Sequence, residues 1–144
     1  MVSAGKIVLI TGKFNPIHKG HISHIREASK LGDCLIIVTH PDYILEKVRG
    51  NCWLSLEDRK AMLIAILNLY KINGCVIVSI DKDGTTTETL RKLHPDIFAK
   101  GGDRTPQNMV QSEVDVCKEL SIEIVYGVGE LLGSSSSIMK GICN

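Results

Sequence analysis

The sequence predicts an α/β fold, a single domain in which a five-stranded parallel sheet carries helices on both faces. Three observations predict it. Short apolar runs of strand length alternate along the chain with segments whose apolar residues recur every three or four positions. The runs are continuous rather than alternating, as in strands covered on both sides. Glycine-rich or polar clusters, at residues 12–21, 40–54, 81–87, 101–104 and 127–137, each follow a strand. Parallel sheets bind their ligands beyond those strand ends.

The elements follow in order. Residues 6–11 form the first strand, with Ile7, Val8, Leu9 and Ile10 as its apolar run, and Gly12 ends it. Residues 18–31 form a helix whose Ile22, Ile25, Ala28 and Leu31 share one face, closed by Gly32. Residues 34–39, CLIIVT, are the second strand. Residues 40–54 show no clean period and are expected as a long loop carrying Lys47, Arg49, Gly50 and Trp53. Ser55, with Asp58 three residues on, starts a helix running to Leu69, with Met62, Leu63, Ile66 and Leu69 inward.

The third strand is residues 75–80, CVIVSI, and residues 81–87, DKDGTTT, make a polar turn before a short helix over 88–93. His94 and Pro95 close that helix, and residues 96–100 give the fourth strand, broken by Gly101 and Gly102. A helix over 108–120 and a strand over 122–126 follow. A glycine-containing loop, the serines at 134–137 and a last helix over 138–142 complete the chain.

With 144 residues, the chain is most simply one domain, 1–144, able to bury roughly two-thirds of its unfolded surface. Its net charge of +1 offers no basic field for nucleic acid, while small anions need only a local cluster of positive groups. No apolar stretch approaches the roughly twenty residues that span a bilayer, and the N-terminus does not resemble a signal peptide. A cytoplasmic protein without membrane or nucleic-acid partners is expected. The five cysteines, an odd number without CxxC spacing, are expected as reduced and mostly buried thiols.

The stretch TGKFNPIHKGH at residues 11–21 carries the chemistry. Gly12 and Gly20 allow close backbone approach, Pro16 fixes the turn, and His18 and His21, three apart, share one face at a helix N-terminus. Such a place holds phosphate. Elsewhere the alternatives are structural. A serine run can be a polar linker, GGD a turn, and Lys47 and Arg49 solvated charges. Residues 81–84, DKDG, lack the later ligands of a calcium loop and read as a turn. His24, His40 and His94 are expected at surface or cap positions, with His40, at the end of the second strand, able to line the cleft.

GxFxPxHxGH is similar to the signature of the nucleotidyltransferase superfamily that includes cytidylyltransferases, heptose-phosphate adenylyltransferases and nicotinamide-mononucleotide adenylyltransferases. The likeness extends through SLEDRKAMLIAI, HPDIFAKGGDR and, loosely, GSSSSIMK. It implies a Rossmann-like domain that moves CMP or AMP from CTP or ATP onto the phosphate of a small phosphorylated alcohol or sugar, releasing pyrophosphate.

The resemblance implies catalytic roles for His18, His21, Lys47 and Arg59: the histidines on the triphosphate, Lys47 on the acceptor phosphate and Arg59 on phosphates. It places the nucleotide against Gly12, Phe14, Asn15, Gly20, Lys100, Gly102, Asp103 and Arg104. Ser134, Ser135 and Ser136 meet the β- and γ-phosphates. Magnesium is implied through phosphate and water rather than protein ligands, as is a homodimer. The chain departs from the pattern at Asn15, where many cytidylyltransferases have aspartate, and has no arginine in the region 127–132 before the serines. An adenylyltransferase for nicotinamide mononucleotide, and a nucleotide-binding module without turnover, are the alternatives these departures raise.

Overall fold

Five strands and five helices, with α2 and α3 in succession between the second and third strands, make up residues 5–129, which the computed structural model describes. Strands β1 (Ile7–Thr11), β2 (Cys34–Thr39), β3 (Gly74–Val78), β4 (Ile97–Ala99) and β5 (Glu123–Val125) form one sheet in the order β3-β2-β1-β4-β5. Every adjoining pair is parallel. The connections carry α1 (Lys19–Ser29), α2 (Asp42–Arg49), α3 (Leu56–Leu69), α4 (Thr87–Leu93) and α5 (Gln111–Leu120).

The continuous apolar runs serve two cores, because successive side chains of a strand leave opposite faces. Val8, Ile10, Leu35, Ile37, Ile97 and Ala99 pack with Ile25 and Ala28 of α1 and with Leu63 and Leu67 of α3. Leu9, Ile36, Val38 and Phe98 pack on the other side with Leu90 of α4 and with Val116 and Cys117 of α5. Val8, Leu9 and Ile10 of the central strand are wholly buried.

From β1 the chain steps outward to β2 and β3, then returns across β1 to lay down β4 and β5 on the far side. The connections leaving β1 and β4 therefore diverge, and the crevice between their carboxyl ends is the switch point of the sheet.

Two expectations are corrected. Residues 42–49, expected within a loop, form α2. Pro41 takes the N-cap position, Asp42 lies in the first turn, and Gly50, at φ 80°, supplies the left-handed stop. Its two fully buried residues, Ile44 and Leu45, are adjacent in sequence, so a helix this short shows no period.

In α3 the inward face is Arg59, Leu63 and Leu67, while Met62 and Leu69 are 42% and 71% exposed. Ile66 packs partly against the core. Residues 61–67 are so uniformly apolar that periodicity cannot set the rotation of the helix. The hydrogen bonds of the buried Arg59 set it instead. Ser55 caps this helix as expected, its Oγ accepting the Asp58 N–H at 3.2 Å.

The described cysteines are free thiols, but Cys117 alone of them is buried; Cys34 and Cys52 are half-buried and Cys75 is exposed on the edge strand. Cys143, the serines at 134–137 and the expected last helix lie outside the described residues. Among the described residues no helix is long and apolar enough to cross a membrane.

Candidate active site

The chain leaves β1 at Gly12, whose N–H still bonds Val38 O at 3.1 Å, and then doubles back. Phe14, at φ 53° and fully buried, lays its ring over Gly12 so closely that a Cβ there would lie 2.8 Å from the ring. Only glycine leaves that room. Asn15 is buried too, and its Oδ1 accepts the N–H groups of Trp53 and Leu54 at 2.6 and 3.0 Å. Its Nδ2 donates to Asn51 O at 3.3 Å, so this side chain ties the segment before α3 to the first loop.

Helix α1 begins with a reciprocal cap made by two histidines. His18 Nδ1 accepts the Gly20 N–H at 3.1 Å, and His21 Nδ1 accepts the His18 N–H at 3.2 Å. Because each Nδ1 accepts, the proton of each neutral ring sits on Nε2. The rings stack at 3.8 Å with a 27° interplanar angle, and the Phe14 ring meets His21 edge-on at 4.9 Å. Burial pushes the His18 pKa below the ordinary histidine value, which keeps its ring a neutral donor. Two N–H donors are thus held beside the positive end of a helix.

A cavity of about 270 Å³ opens at this point, and segments after all five strands line it. From β1 come Thr11, Gly12, Lys13, Phe14, His18, Gly20, His21 and His24; from β2, His40; from the segment after β3, Gly84 and Thr86. The end of β4 contributes residues 99–104, the start of α5 contributes Val110 and Glu113, and the segment after β5 contributes Val128.

Lys100 is 9% exposed, with Nζ 4.6 Å over the Phe98 ring. Burial lowers its pKa first; Glu113 and Asp103 counter that, while Arg104 and Lys13 add to it. Glu113 is buried and accepts the Thr86 N–H at 2.9 Å, and Thr86 Oγ1 donates to Thr11 Oγ1 at 3.0 Å. The turn after β4 is shaped by Asn108, which accepts from Thr105 N and donates to Asp103 O, while Arg104 Nη1 donates to Asn108 O.

His24 has the opposite polarity to the capping pair. Its Nδ1 lies 2.6 Å from Val128 O, and a carbonyl can only accept, so Nδ1 carries the proton and Nε2 is an acceptor. Burial again lowers the pKa, offset by that hydrogen bond. Gly129, at φ 93°, passes so close that a Cβ would lie 2.7 Å from the His24 Cα.

Of the residues expected at the site, Gly12, Phe14, His18, Gly20, His21, Lys100, Gly102, Asp103 and Arg104 line the cavity. Asn15 does not, being spent on the 51–54 segment. Lys47 lies on the exposed side of α2, where it helps to depress the Asp83 carboxyl. Arg59 is wholly buried behind the cavity. It donates to Leu54 O (3.0 Å), Lys13 O (3.4 Å), Thr39 Oγ1 (2.7 Å), His40 O (2.7 Å) and Asp42 Oδ1 (2.7 Å). Ser134, Ser135 and Ser136 lie outside the described residues.

The cavity also holds residues to which sequence reasoning gave no role. Lys13 sits inside the motif itself, and His24 falls three residues beyond His21 on the same helix face, so spacing could have found both. Thr86 lies in the 81–87 cluster after the third strand, whereas Glu113 leaves no signal, because tertiary packing alone brings it in. His40 takes the cleft position its place after β2 allowed.

A family model described as cytidylyltransferase-like matches residues 9–138. The bifunctional protein HldE of Desulfatibacillum aliphaticivorans is 29% identical over 139 residues, covering 96% of this chain and 27% of that protein. HldE of Syntrophotalea carbinolica is 33% identical over 112 residues, covering 76% and 22%. The chain thus spans about a quarter of the length of these relatives. Among solved structures, the lipopolysaccharide core biosynthesis protein from Thermoplasma volcanium superposes with a TM-score of 0.66 at 24% identity, over 88% of this chain and 99% of that one. A bifunctional NMN adenylyltransferase/ADP ribose pyrophosphatase from Francisella tularensis gives 0.67 at 18% identity, over 96% and 42%. These two likenesses are of fold.

Proposed function

We propose, from the premise that this chain belongs to the cytidylyltransferase-like family, that it transfers CMP or AMP from CTP or ATP to the phosphate of a small phosphorylated alcohol or sugar. The observation that carries this reading is the paired cap of His18 and His21, two fixed N–H donors at a helix N-terminus in a cavity that also holds Lys13, Lys100 and Arg104.

The chemistry needs no protein nucleophile. A phosphate monoester has a second pKa of about 6 by analogy with phosphoserine, so it is largely dianionic at neutral pH. Its oxygen forms a bond to the α-phosphorus as the bond from that phosphorus to the bridging oxygen breaks, and pyrophosphate departs with the electron pair. No proton has to be removed first. The protein's work is to align the partners and stabilise charge on the phosphoryl oxygens. The two imidazole N–H groups and the three cations suit that work, and the 101–104 turn suits the nucleoside.

Among the described residues no three His, Cys, Asp or Glu side chains gather to hold a metal ion. Asp103 and Glu113 are the carboxylates at the cavity, and Glu113 already accepts the Thr86 N–H. That donor set fits a magnesium ion carried by the triphosphate and water, with Asp103 as an outer partner. Bound there, magnesium would neutralise phosphate charge.

Pyrophosphate release, measured with each nucleotide and a panel of acceptors, tests the reading. His18→Ala and His21→Ala should each lower kcat by about 100- to 1000-fold, the scale of losing one preorganised donor, without loss of fold. Full activity in both would sink the mechanism.

A further inference from the structure

His24 lies one turn beyond His21 on α1, about 4.5 Å further along the axis at 1.5 Å per residue, and it lines the same cavity. Its ring has a fixed polarity. Nδ1 lies 2.6 Å from Val128 O, and the next residue, Gly129, is packed against the backbone of Ser23 and His24, which fixes where that carbonyl stands. A carbonyl only accepts, so Nδ1 keeps the proton and Nε2 presents a lone pair. The reverse tautomer would set two lone pairs against each other.

That lone pair is free and reachable. Nε2 makes no hydrogen bond among the described residues, and it is not sealed, since the only sealed and unpaired side-chain nitrogen or oxygen among them is His40 Nδ1. Burial lowers the His24 pKa and Lys100 adds to this, against Val128 O and Asp103. The ring therefore stays neutral at neutral pH, and Nε2 does not become a donor.

Position then says which part of a nucleotide meets it. With the phosphates at His18 and His21, a nucleoside triphosphate runs in the order phosphate, ribose, base, and a group one turn further on meets the far end. The walls suit a flat ring. Gly101 and Gly102 present bare backbone, a Cβ on Gly101 would lie 4.0 Å from His24 Nδ1, and Val128 adds an apolar side chain. Adenine and cytosine carry an amino donor where guanine and uracil carry a carbonyl. Opposite a lone pair, the amino group makes a bond and the carbonyl leaves two acceptors unpaired.

We infer that His24 is a specificity-determining residue whose Nε2 accepts a hydrogen bond from the exocyclic amino group of the nucleotide base, selecting an amino base over a keto base. This rests on the reading of the cavity as a nucleotide site and assigns the residue that chooses the base.

The test is calorimetric titration of the full chain with ATP, ITP, CTP and UTP in magnesium, without acceptor. The better bound of ATP and CTP should exceed its keto counterpart by about 5- to 150-fold, the 1–3 kcal/mol of an unpaired polar group converted at 1.4 kcal/mol per tenfold. His24→Leu should bring that ratio within about threefold by weakening the amino nucleotide. His24→Gln, whose amide can offer oxygen or nitrogen, should close it by strengthening the keto nucleotide instead. A merely structural role predicts the same loss for every nucleotide. The 2′-deoxy and 3′-deoxy forms of the preferred nucleotide should lose the same factor in wild type and in His24→Leu.

Equal binding of amino and keto nucleotides by wild type, an unchanged ratio in His24→Leu, or a deoxy effect that vanishes in His24→Leu, which would give the ring to the ribose, overturns the inference. Pyrophosphate release separates the two claims. Wild-type protein that discriminates as expected but releases no pyrophosphate with any acceptor refutes transfer and leaves the role of His24 standing; release from amino and keto nucleotides at equal kcat/KM keeps transfer and overturns that role.

Discussion

Replacing Arg59 by methionine would decide whether that residue is a phosphate ligand or a strut behind the site. Its guanidinium makes five hydrogen bonds, to Leu54 O, Lys13 O, Thr39 Oγ1, His40 O and Asp42 Oδ1. Methionine fills similar volume and supplies no donor. Asp42, with 44% of its side chain exposed, can turn to water, but Thr39 and His40 are buried and cannot. Stranding buried acceptors costs about 1–3 kcal/mol each, and breaking a buried pair from one side costs about 3–5 kcal/mol.

The expected loss is therefore about 3–5 kcal/mol, a large share of the 5–15 kcal/mol that holds a typical domain together. Arg59→Lys should recover little, since an ammonium lacks the planar fork that spans these acceptors. Urea unfolding at neutral pH measures it, as a fall in the midpoint at constant slope. A loss under about 1 kcal/mol together with a tenfold or greater drop in nucleotide affinity would refute the strut and return Arg59 to the phosphates.

Three other perturbations have expected outcomes. Burial, reinforced mainly by Lys13, holds the His40 pKa at about 4 instead of 6.5, so the folded state keeps this ring neutral. Stability from that source is complete above pH 6.5 and is lost as pH falls toward 4. The loss amounts to about 2 kcal/mol between pH 7 and pH 5 and about 3 kcal/mol in full, and urea titrations of His40→Phe should lack it. Asn15→Asp keeps the acceptor for Trp53 and Leu54 N–H and should cost under about 1 kcal/mol, whereas Asn15→Ala should cost about 1–2 kcal/mol and speed proteolysis within 51–54. Gly12→Ala would drive a Cβ to 2.8 Å from the Phe14 ring. It should cost about 1–3 kcal/mol by urea unfolding and lower kcat further than stability alone explains, because Phe14 supports His21.

The strands were legible because a buried parallel strand announces itself in a handful of consecutive residues; β2 falls on the predicted residues 34–39. The helical starts were legible where a side chain caps locally, as at Ser55. The rotation of α3 was not, since Met62, Leu63, Ile66 and Leu69 all look suitable for burial and the deciding residue, Arg59, looks like a surface charge. Nor was α2, whose eight residues are too few to display a period. The same division runs through the site. The histidine pair and the 101–104 turn are local patterns. The placement of Glu113 and the unpaired nitrogen of His40 exist only once distant strand ends meet, and no window of sequence contains them. Besides the expected Lys100, the cavity holds Lys13, inside the motif, while Lys47 is exposed on a helix that the sequence did not reveal.

The mutual cap of His18 and His21 makes the first turn of α1 and the phosphate clasp a single object. A ring that lends Nδ1 to a backbone N–H cannot also take a second proton there, so neither histidine can become a cation without releasing the turn it secures. Lysine or arginine in either position would bring charge and lose the acceptor. Asparagine would keep both functions on a shorter arm, its oxygen toward the backbone and its amide toward the ligand. Among replacements for His18 it is the one that should preserve the helix start while still presenting a donor, and the pair is thereby defined by hydrogen-bond polarity rather than by charge.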